Sequence, residues 1–583
     1  PAYKYREYDR YILRPIVYAK LTLPLGITFT SNYSTRMDFR KRFEYEDSAN
    51  PLWSNDGYAR RRHNQGFTWQ SDNIINWDEQ FGDHRFSFTG LINAESIQNW
   101  ETDARTQNFS PTEALGFHAL NFGLAPQIGS DDQKTTRNAL MARINYSFSD
   151  RFNISASIRR DGYSRFGSKN LYATFPSLSG AWTITNEAFM ESGPKWLSYL
   201  NLRASWGVNG NSSGLNSYAA YASLSDDIYL NYDGGYFVAP YLEINRIANP
   251  ELSWEKNNAF NFALDFKLFE SRVSGTLDVY TSETTELLLD KKLPTLTGFS
   301  SITTNVGNLR NKGIDLGITT VNVTKSNFIW TSTFNIHYNS NKIVSLTGEK
   351  IIQTDSNGNP ILDGDGNPVL EEPDDFNNGW FIGQNKDVIW EYEVDGVYQI
   401  GEEAEAAVYG LYPGDFKVVD QDGNGIINID DKAFQGLKTN PWHLTLRNDI
   451  EFKNFDVGVI LLAKLGQKGG SSEPFNARQE YIKNHNWYNI PYWTPNNGIN
   501  DAARINSIQR GDNIWVSNSY LRVQSFSVGY TIPQSILERV KIRRARLGFN
   551  VDNLAVMTSW KYGDPESQFE MPRTYTFSLD FNF

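Results

Sequence analysis

The chain has 583 residues, of which 40% are hydrophobic and 21% charged, with a formal net charge of -12 and no cysteine. That composition leaves no disulfide framework, no thiolate metal site and no cysteine nucleophile, and it supplies no basic field for nucleic acid. The mean hydropathy is -0.50 and the longest apolar run is Val457 to Ala463, which excludes membrane-spanning helices of about 20 apolar residues.

A β-barrel passes the same filter, because its strands need an apolar residue only at every second position. The 16 Trp, 31 Tyr and 36 Phe suit a barrel with aromatic girdles at both lipid interfaces. A soluble sugar-binding or propeller protein would be equally aromatic. The chain opens PAYKYREYDRYILRP, with neither an initiator methionine nor the charged and apolar regions of a signal peptide. An outer-membrane protein must be exported, so the natural precursor is expected to begin upstream of Pro1. Arg60-Arg61-Arg62-His63 follows an Asn/Asp/Gly turn. It reads as a solvated basic loop, suited at most to anionic lipopolysaccharide or a substrate carboxylate.

Further on, one unit recurs: an alternating segment, a short polar turn, a second alternating segment. Ile144, Tyr146 and Phe148 precede a turn at Ser149-Asp150-Arg151, and Phe152, Ile154, Ala156 and Ile158 follow it. Phe260 to Leu268 and Val273 to Val279 repeat the unit around Glu270 to Arg272. Leu444 to Phe452 and Phe455 to Leu461 repeat it around Lys453-Asn454. Period two with one apolar face predicts half-buried strands, and tight turns predict antiparallel neighbours. The opposite strand ends run into long polar stretches near 96–134, 208–252, 341–440 and 466–517. Short turns at one end and long loops at the other are the asymmetry of outer-membrane barrels. Roughly sixteen to eighteen strands are predicted. One short helix is predicted, begun by Pro533 and continued from Gln534 to Val540.

At the C-terminus Tyr575, Phe577, Leu579, Phe581 and Phe583 alternate with polar residues, the pattern that barrel-assembly machinery recognises in a last strand. Asp420, Asp422, Asn424, Ile426, Asn428 and Asp431 fall at positions 1, 3, 5, 7, 9 and 12 of a calcium loop, with Gly425 at the bend. Position 12 is Asp where Glu is usual, and the upstream YPGDFKVV reads as strand. A solvated Gly/Asn-rich hairpin is the competing reading. Asp355-Ser-Asn357-Gly-Asn359-Pro and Asp363-Gly-Asp365-Gly-Asn367-Pro lack acidic closure and read as turns. Trp487, Tyr488, Tyr492 and Trp493 form the densest aromatic group in a long loop, suited either to stacking on sugar rings or to a girdle. His63, His84, His118, His337, His443 and His485 are scattered, and no nucleophile or acid–base constellation argues for an enzyme.

Several segments resemble the SusC/RagA family of TonB-dependent transporters from Bacteroidota, in family order. They are ISASIRRDGYSRFGSKNLYATFPSLSGAWTITNEAFM (Ile154–Met190), WLSYLNLRASWGVNGN (Trp196–Asn211), NPELSWEKNNAFNFALDF (Asn249–Phe266) and TNVGNLRNKGIDLGI (Thr304–Ile318). YPGDFKVVDQDGNGIINIDDK (Tyr412–Lys432), SYLRVQSFSVGYTIPQSIL (Ser519–Leu537) and RLGFNVDNLAVMTSWKYGDPE (Arg546–Glu566) complete the series. The resemblance implies an all-β, antiparallel transmembrane barrel of 22 strands, the plugged transporter class. Residues 1–583 are expected to be barrel, with the regulatory-like domain, TonB box and plug on a longer polypeptide. It also implies import of an oligomeric nutrient, glycan or peptide, across the outer membrane. The implied partners are a SusD-like lipoprotein lid, TonB, lipid and lipopolysaccharide, in paired SusC–SusD-like complexes. A non-transporting scaffold barrel is the alternative. No cofactor is expected beyond a calcium ion at Asp420–Asp431, and substrate-binding residues stay unassigned.

Overall fold

The computed structural model describes residues 4–48, 57–109, 114–124, 126–230, 236–354, 358–470, 492–504, 507, 514–538, 542–561, 563–567 and 571–582. Among the described residues, eighteen strands belong to one sheet. They are β1 (Lys4–Leu13), β2 (Ile16–Thr22), β3 (Ile27–Glu46), β4 (Tyr58–Phe81), β5 (His84–Gln107), β6 (Gln127–Phe148), β7 (Phe152–Tyr163), β8 (Tyr172–Thr183) and β9 (Leu197–Asn211). There follow β10 (Glu255–Leu268), β11 (Val273–Thr285), β12 (Asn308–Lys325), β13 (Phe328–Ser345), β14 (Trp442–Phe452), β15 (Phe455–Leu465), β16 (Tyr520–Thr531), β17 (Arg544–Thr558) and β18 (Thr574–Asn582). The predicted antiparallel all-β class is met, and eighteen described strands in this sheet fall within the sixteen to eighteen read from the alternation.

The chain divides into two compact units. The first comprises Pro1–Trp182, Ser205–Ala259 and Thr284–Val306; the second comprises Thr183–Ala204, Phe260–Glu283 and Gly307–Phe583. In the first, β3 pairs β4 without a slip from Ile27↔Trp77 to Glu46↔Tyr58, and β4 pairs β5 from Phe81↔His84 to Tyr58↔Gln107. An unbroken register sorts every side chain to one of two faces. One face is apolar and open: Ile92 and Leu140 lie opposite each other, each 61% exposed. Ile144, Ile158 and Leu178 continue it. The other face is charged and covered, with Asp38 only 5% exposed. This inverts the burial of a water-soluble domain. Hydrocarbon is the solvent that satisfies it, since a sheet with paired backbone groups can meet lipid through apolar side chains.

The second unit repeats the pattern through β12, β13, β14, β15, β16, β17 and β18, each antiparallel to the next. In its last pair Leu547 meets Leu579 and Phe549 meets Phe577, and Phe577 is 80% exposed. Turns fall where predicted. Ser149 and Asp150 adopt φ of 50° and 53° in the three-residue turn between β6 and β7, and Lys453 adopts 55° in the two-residue turn between β14 and β15, the left-handed backbone that tight hairpins use.

Two sequence expectations need correction. The stretch 96–134 is mostly strand: β5 runs to Gln107 and β6 begins at Gln127, and β13 likewise continues to Ser345. These extensions have ladder hydrogen bonds but no apolar face, so hydropathy alternation fades while the strand continues. The α-helices number two among the described residues. α1 (Glu403–Val408) was not anticipated, although its Glu/Ala-rich segment ends at Gly410 with φ 69°, a helix-stop signal. α2 (Gln534–Leu537) is the expected one; Val540 lies outside the described residues.

Candidate functional site

Alternation along β1 and β3 directs Arg6, Arg10, Arg36, Asp38, Arg40, Arg42 and Glu44 to the covered face of the first unit. Asp38 accepts from Arg10 Nε and Nη2 at 3.1 and 2.7 Å, from Arg36 Nη2 at 2.8 Å, and from Arg40 Nε and Nη2 at 3.1 and 2.9 Å. Glu44 accepts from Arg42 Nε and Nη2 at 3.1 and 2.8 Å and lies 2.9 Å from Arg6 Nε. Register sets Arg10 opposite Arg40 and Arg42 opposite Arg62, a like-charge arrangement that costs a sheet stability unless anions intervene.

Arg60-Arg61-Arg62-His63, read above as a loop, is the start of β4, and alternation splits it between the faces. Arg60 grips Asp103 at 2.7 and 2.6 Å, and Arg62 lies 2.9 Å from Glu101. On the opposite face the Arg61 guanidinium sits 4.5 Å over the Phe43 ring, which His63 meets edge-on. Four polar residues in a row hide the strand because each has a cross-strand partner.

Further along the same covered face lies a cavity of about 610 Å³, within the range of ligand pockets. Asp72, Glu95, Arg137, Arg159 and Asp161 line it, with Phe175 and Trp254 as its aromatic wall. Arg159 holds Asp161 through contacts of 2.7 to 3.0 Å. Asp72 accepts from Gln70 Nε2 at 2.8 Å and Asn93 Nδ2 at 2.6 Å. Arg137 lies over the Tyr163 ring at 4.1 Å, donates to its hydroxyl at 2.8 Å, and stands 3.8 Å from Glu95. The aromatic wall belongs to a packed cluster with Tyr163, Phe166 and Leu252. The cavity thus offers fixed charges of both signs.

In the second unit Asp420, Asp422 and Asp431 bring one carboxylate oxygen each within 4.8 Å of one another. Asp420 accepts the N–H of Gly423 at 2.7 Å, of Asn424 at 3.2 Å and of Gly425 at 2.7 Å. The Gly425 N–H, with those of Gly423 and Asn424, holds Asp420 below the usual aspartate range. Asp431 is buried and accepts from Gln421 and Asn428 N–H at 2.8 Å each, closing a capping box on the 3-10 turn Ile429–Asp431. Asn424 Nδ2 is spent on Asp422 and its Oδ1 takes the Ile426 N–H at 2.7 Å. The loop joins a strand (Phe416–Val418) to that turn and lacks the flanking helices of an EF-hand. The three carboxylates thus converge on one small space with oxygen donors only.

The other expected features resolve unevenly. Tyr575, Phe577, Leu579 and Phe581 share the open face of β18, and Phe583 lies outside the described residues. Asp363 accepts the N–H of Asp365 and Asn367 at 2.9 Å, the expected turn; residues 355–357 are not described. Trp487 and Tyr488 lie outside the described residues. Trp493 is buried with Val397 and Phe416 and donates to Gln399 Oε1 at 3.0 Å, so it is loop core and no sugar platform.

The residue profile of the TonB dependent receptor-like β-barrel family matches residues 3–554. This chain belongs to that family. Its relatives include TonB-dependent receptor P3 of Formosa agariphila, 28% identical over 539 residues that cover 90% of this chain and 50% of the relative. TonB-dependent receptor SusC of Bacteroides thetaiotaomicron is 28% identical over 470 residues, covering 76% of this chain and 43% of SusC. The chain spans about half the length of the curated relatives it matches. Among solved structures, the RagAB peptide transporter superposes with a TM-score of 0.78 at 22% identity, over 100% of this chain and 63% of that one. The open apolar face is therefore the lipid face of a SusC/RagA-type outer-membrane barrel, and the covered charged face is the lumenal one. The family comprises transporters, not enzymes.

The arginine stripe and the cavity were missed in the sequence. The signal was present: in TRMDFRKRFEYE, Arg36, Asp38, Arg40, Arg42, Glu44 and Glu46 recur at every second position. The apolar side of that alternation marks the strand, and its charged side marks the stripe.

Proposed function

We propose that the full-length protein imports an oligomeric nutrient, glycan or peptide, across the outer membrane. A SusD-like lipoprotein closes the outer end and TonB drives release inward. The lumenal cavity with its paired charges carries this reading, since a wall that only held a scaffold upright would need no concave polar site. Family membership and the likeness to the RagAB peptide transporter support it. Pairing of two such complexes and contact with lipopolysaccharide belong to the same reading.

Deleting the gene should abolish accumulation of the nutrient, and deleting TonB should do the same with the barrel still present. Purification in mild detergent should retain a lipoprotein. A deletion strain that takes up every oligomer normally but loses another surface complex would replace import with the scaffold reading.

Two local roles accompany it. Calcium at Asp420, Asp422 and Asp431, with Asn424 and the Ile426 carbonyl, would stiffen the loop; isothermal titration that gives no calcium-dependent heat removes this role. Tyr575, Phe577, Leu579, Phe581 and Phe583 would present the assembly signal. Removing Phe583 should then lower the assembled fraction, and unchanged assembly yield would discard it.

A further inference from the structure

The lumenal face of the first unit carries two charge regions of opposite balance, and together they select a ligand class. Around Asp38 and Glu44, five guanidiniums from Arg6, Arg10, Arg36, Arg40 and Arg42 meet two carboxylates. Asp38 already accepts five N–H contacts, against roughly four lone-pair sites on a carboxylate. It has nothing left with which to offset the surplus. The five guanidinium side chains remain between 35% and 55% exposed. Arg36 Nε has no acceptor among the described residues.

Along the same face the cavity has the reverse balance. Asp72, Glu95 and Asp161 face Arg137 and Arg159, and Arg159 is committed to Asp161. Asp38 pairs with Gly66, and Asn32 with Asp72. The two regions are thus six positions apart on β4, about 20 Å at roughly 3.3 Å per residue.

We propose that the imported oligomer is a zwitterionic peptide lying extended along this face. An acidic group meets Arg10 and Arg40, and a basic group meets Asp72 and Glu95. The inference rests on the import reading above. About six extended residues span the interval, and charge-assisted hydrogen bonds hold both ends. A uronate or sulfated glycan carries only one sign of charge and would leave the acidic cavity unmatched.

The test uses the full-length transporter, with folding of each variant checked by its heat-modifiable gel mobility. Four probes of matched length are titrated: a heptapeptide with Glu near one end and Lys near the other, its capped Gln counterpart, heptagalacturonate and maltoheptaose. The charged peptide should bind about tenfold or more tightly than its neutral counterpart, and added salt should erode the difference. Arg10→Gln with Arg40→Gln should remove the preference, and Arg10→Lys with Arg40→Lys should keep part of it. Asp72→Asn with Glu95→Gln should remove the contribution of the lysine. Heptagalacturonate binding more tightly than the peptide, and insensitive to the acid-to-amide pair, would overturn the peptide class. Equal binding of all four probes would overturn the proposal altogether. Uptake is read separately. Binding without accumulation in cells contradicts import and leaves the ligand class standing, whereas TonB-dependent accumulation of maltoheptaose alone does the reverse.

Discussion

Asp38 and Asp420 are both carboxylates crowded by N–H donors, but the donors differ in kind. Asp38 is held by three guanidiniums brought from β1 and β3. Asp420 is held by the backbone N–H groups of its own loop, at Gly423, Asn424 and Gly425. Backbone donors carry no net charge, so Asp420 keeps its full negative charge. Guanidiniums over-neutralise Asp38 and turn an acid into the centre of a cationic patch. The same residue type therefore sits in surroundings of opposite charge, and which sign surrounds it depends on who donates.

The comparison can be tested by removing each carboxylate and then its donors. Asp38→Asn should have the largest effect, because it leaves three clustered guanidiniums without their anion. We expect a loss of about 2–3 kcal/mol in urea unfolding from lipid, somewhat under the usual cost of breaking a buried pair because the arginines are partly open to water. A neutral result would mean that water already screens the cluster. Asp431→Ala should cost about 1–2 kcal/mol, the range for loss of a helix cap. Limited proteolysis should locate that loss to residues near 420–431, while the barrel stays intact.

Arg36→Gln sharpens the contrast through its sign. It removes one surplus charge and leaves Arg10 and Arg40 on Asp38, so stability should change by less than about 0.5 kcal/mol, while affinity for an anionic probe falls. A large destabilisation would instead make Arg36 a structural partner and weaken the case for a binding patch.

The smallest effect is a pH dependence at Asp420. Its folded value lies below its unfolded one, with the Gly425 N–H as the leading cause. The contribution is therefore present above the unfolded value of about 4 and lost as pH falls through the lower folded value. Hydrogen exchange of the Gly423, Asn424 and Gly425 amides should accelerate over that acid window relative to the neighbouring Phe416–Val418 strand. Parallel behaviour of both segments would detach the effect from Asp420.

Much of the architecture could be read before any coordinates. Ile144 to Ile158 and the segments around Lys453-Asn454 announce strand, tight turn and strand, because a membrane-facing strand must place apolar groups at every second position. The last strand was equally plain. The strand hidden in Arg60-Arg61-Arg62-His63 and the burial of Trp493 were not, since each depends on a partner distant in sequence: Asp103 for Arg60, Gln399 for Trp493.

What the sequence by itself determined is therefore the barrel: alternation and turn chemistry are local, and every residue carries its share of the pattern. What only the tertiary structure decided is the lumenal chemistry. Arg10 reaches Asp38 across 28 residues and Arg60 reaches Asp103 across 43, and register alone determines which charges meet. Electrostatic sign at a site is a sum over neighbours, and the neighbours of a strand are chosen by folding.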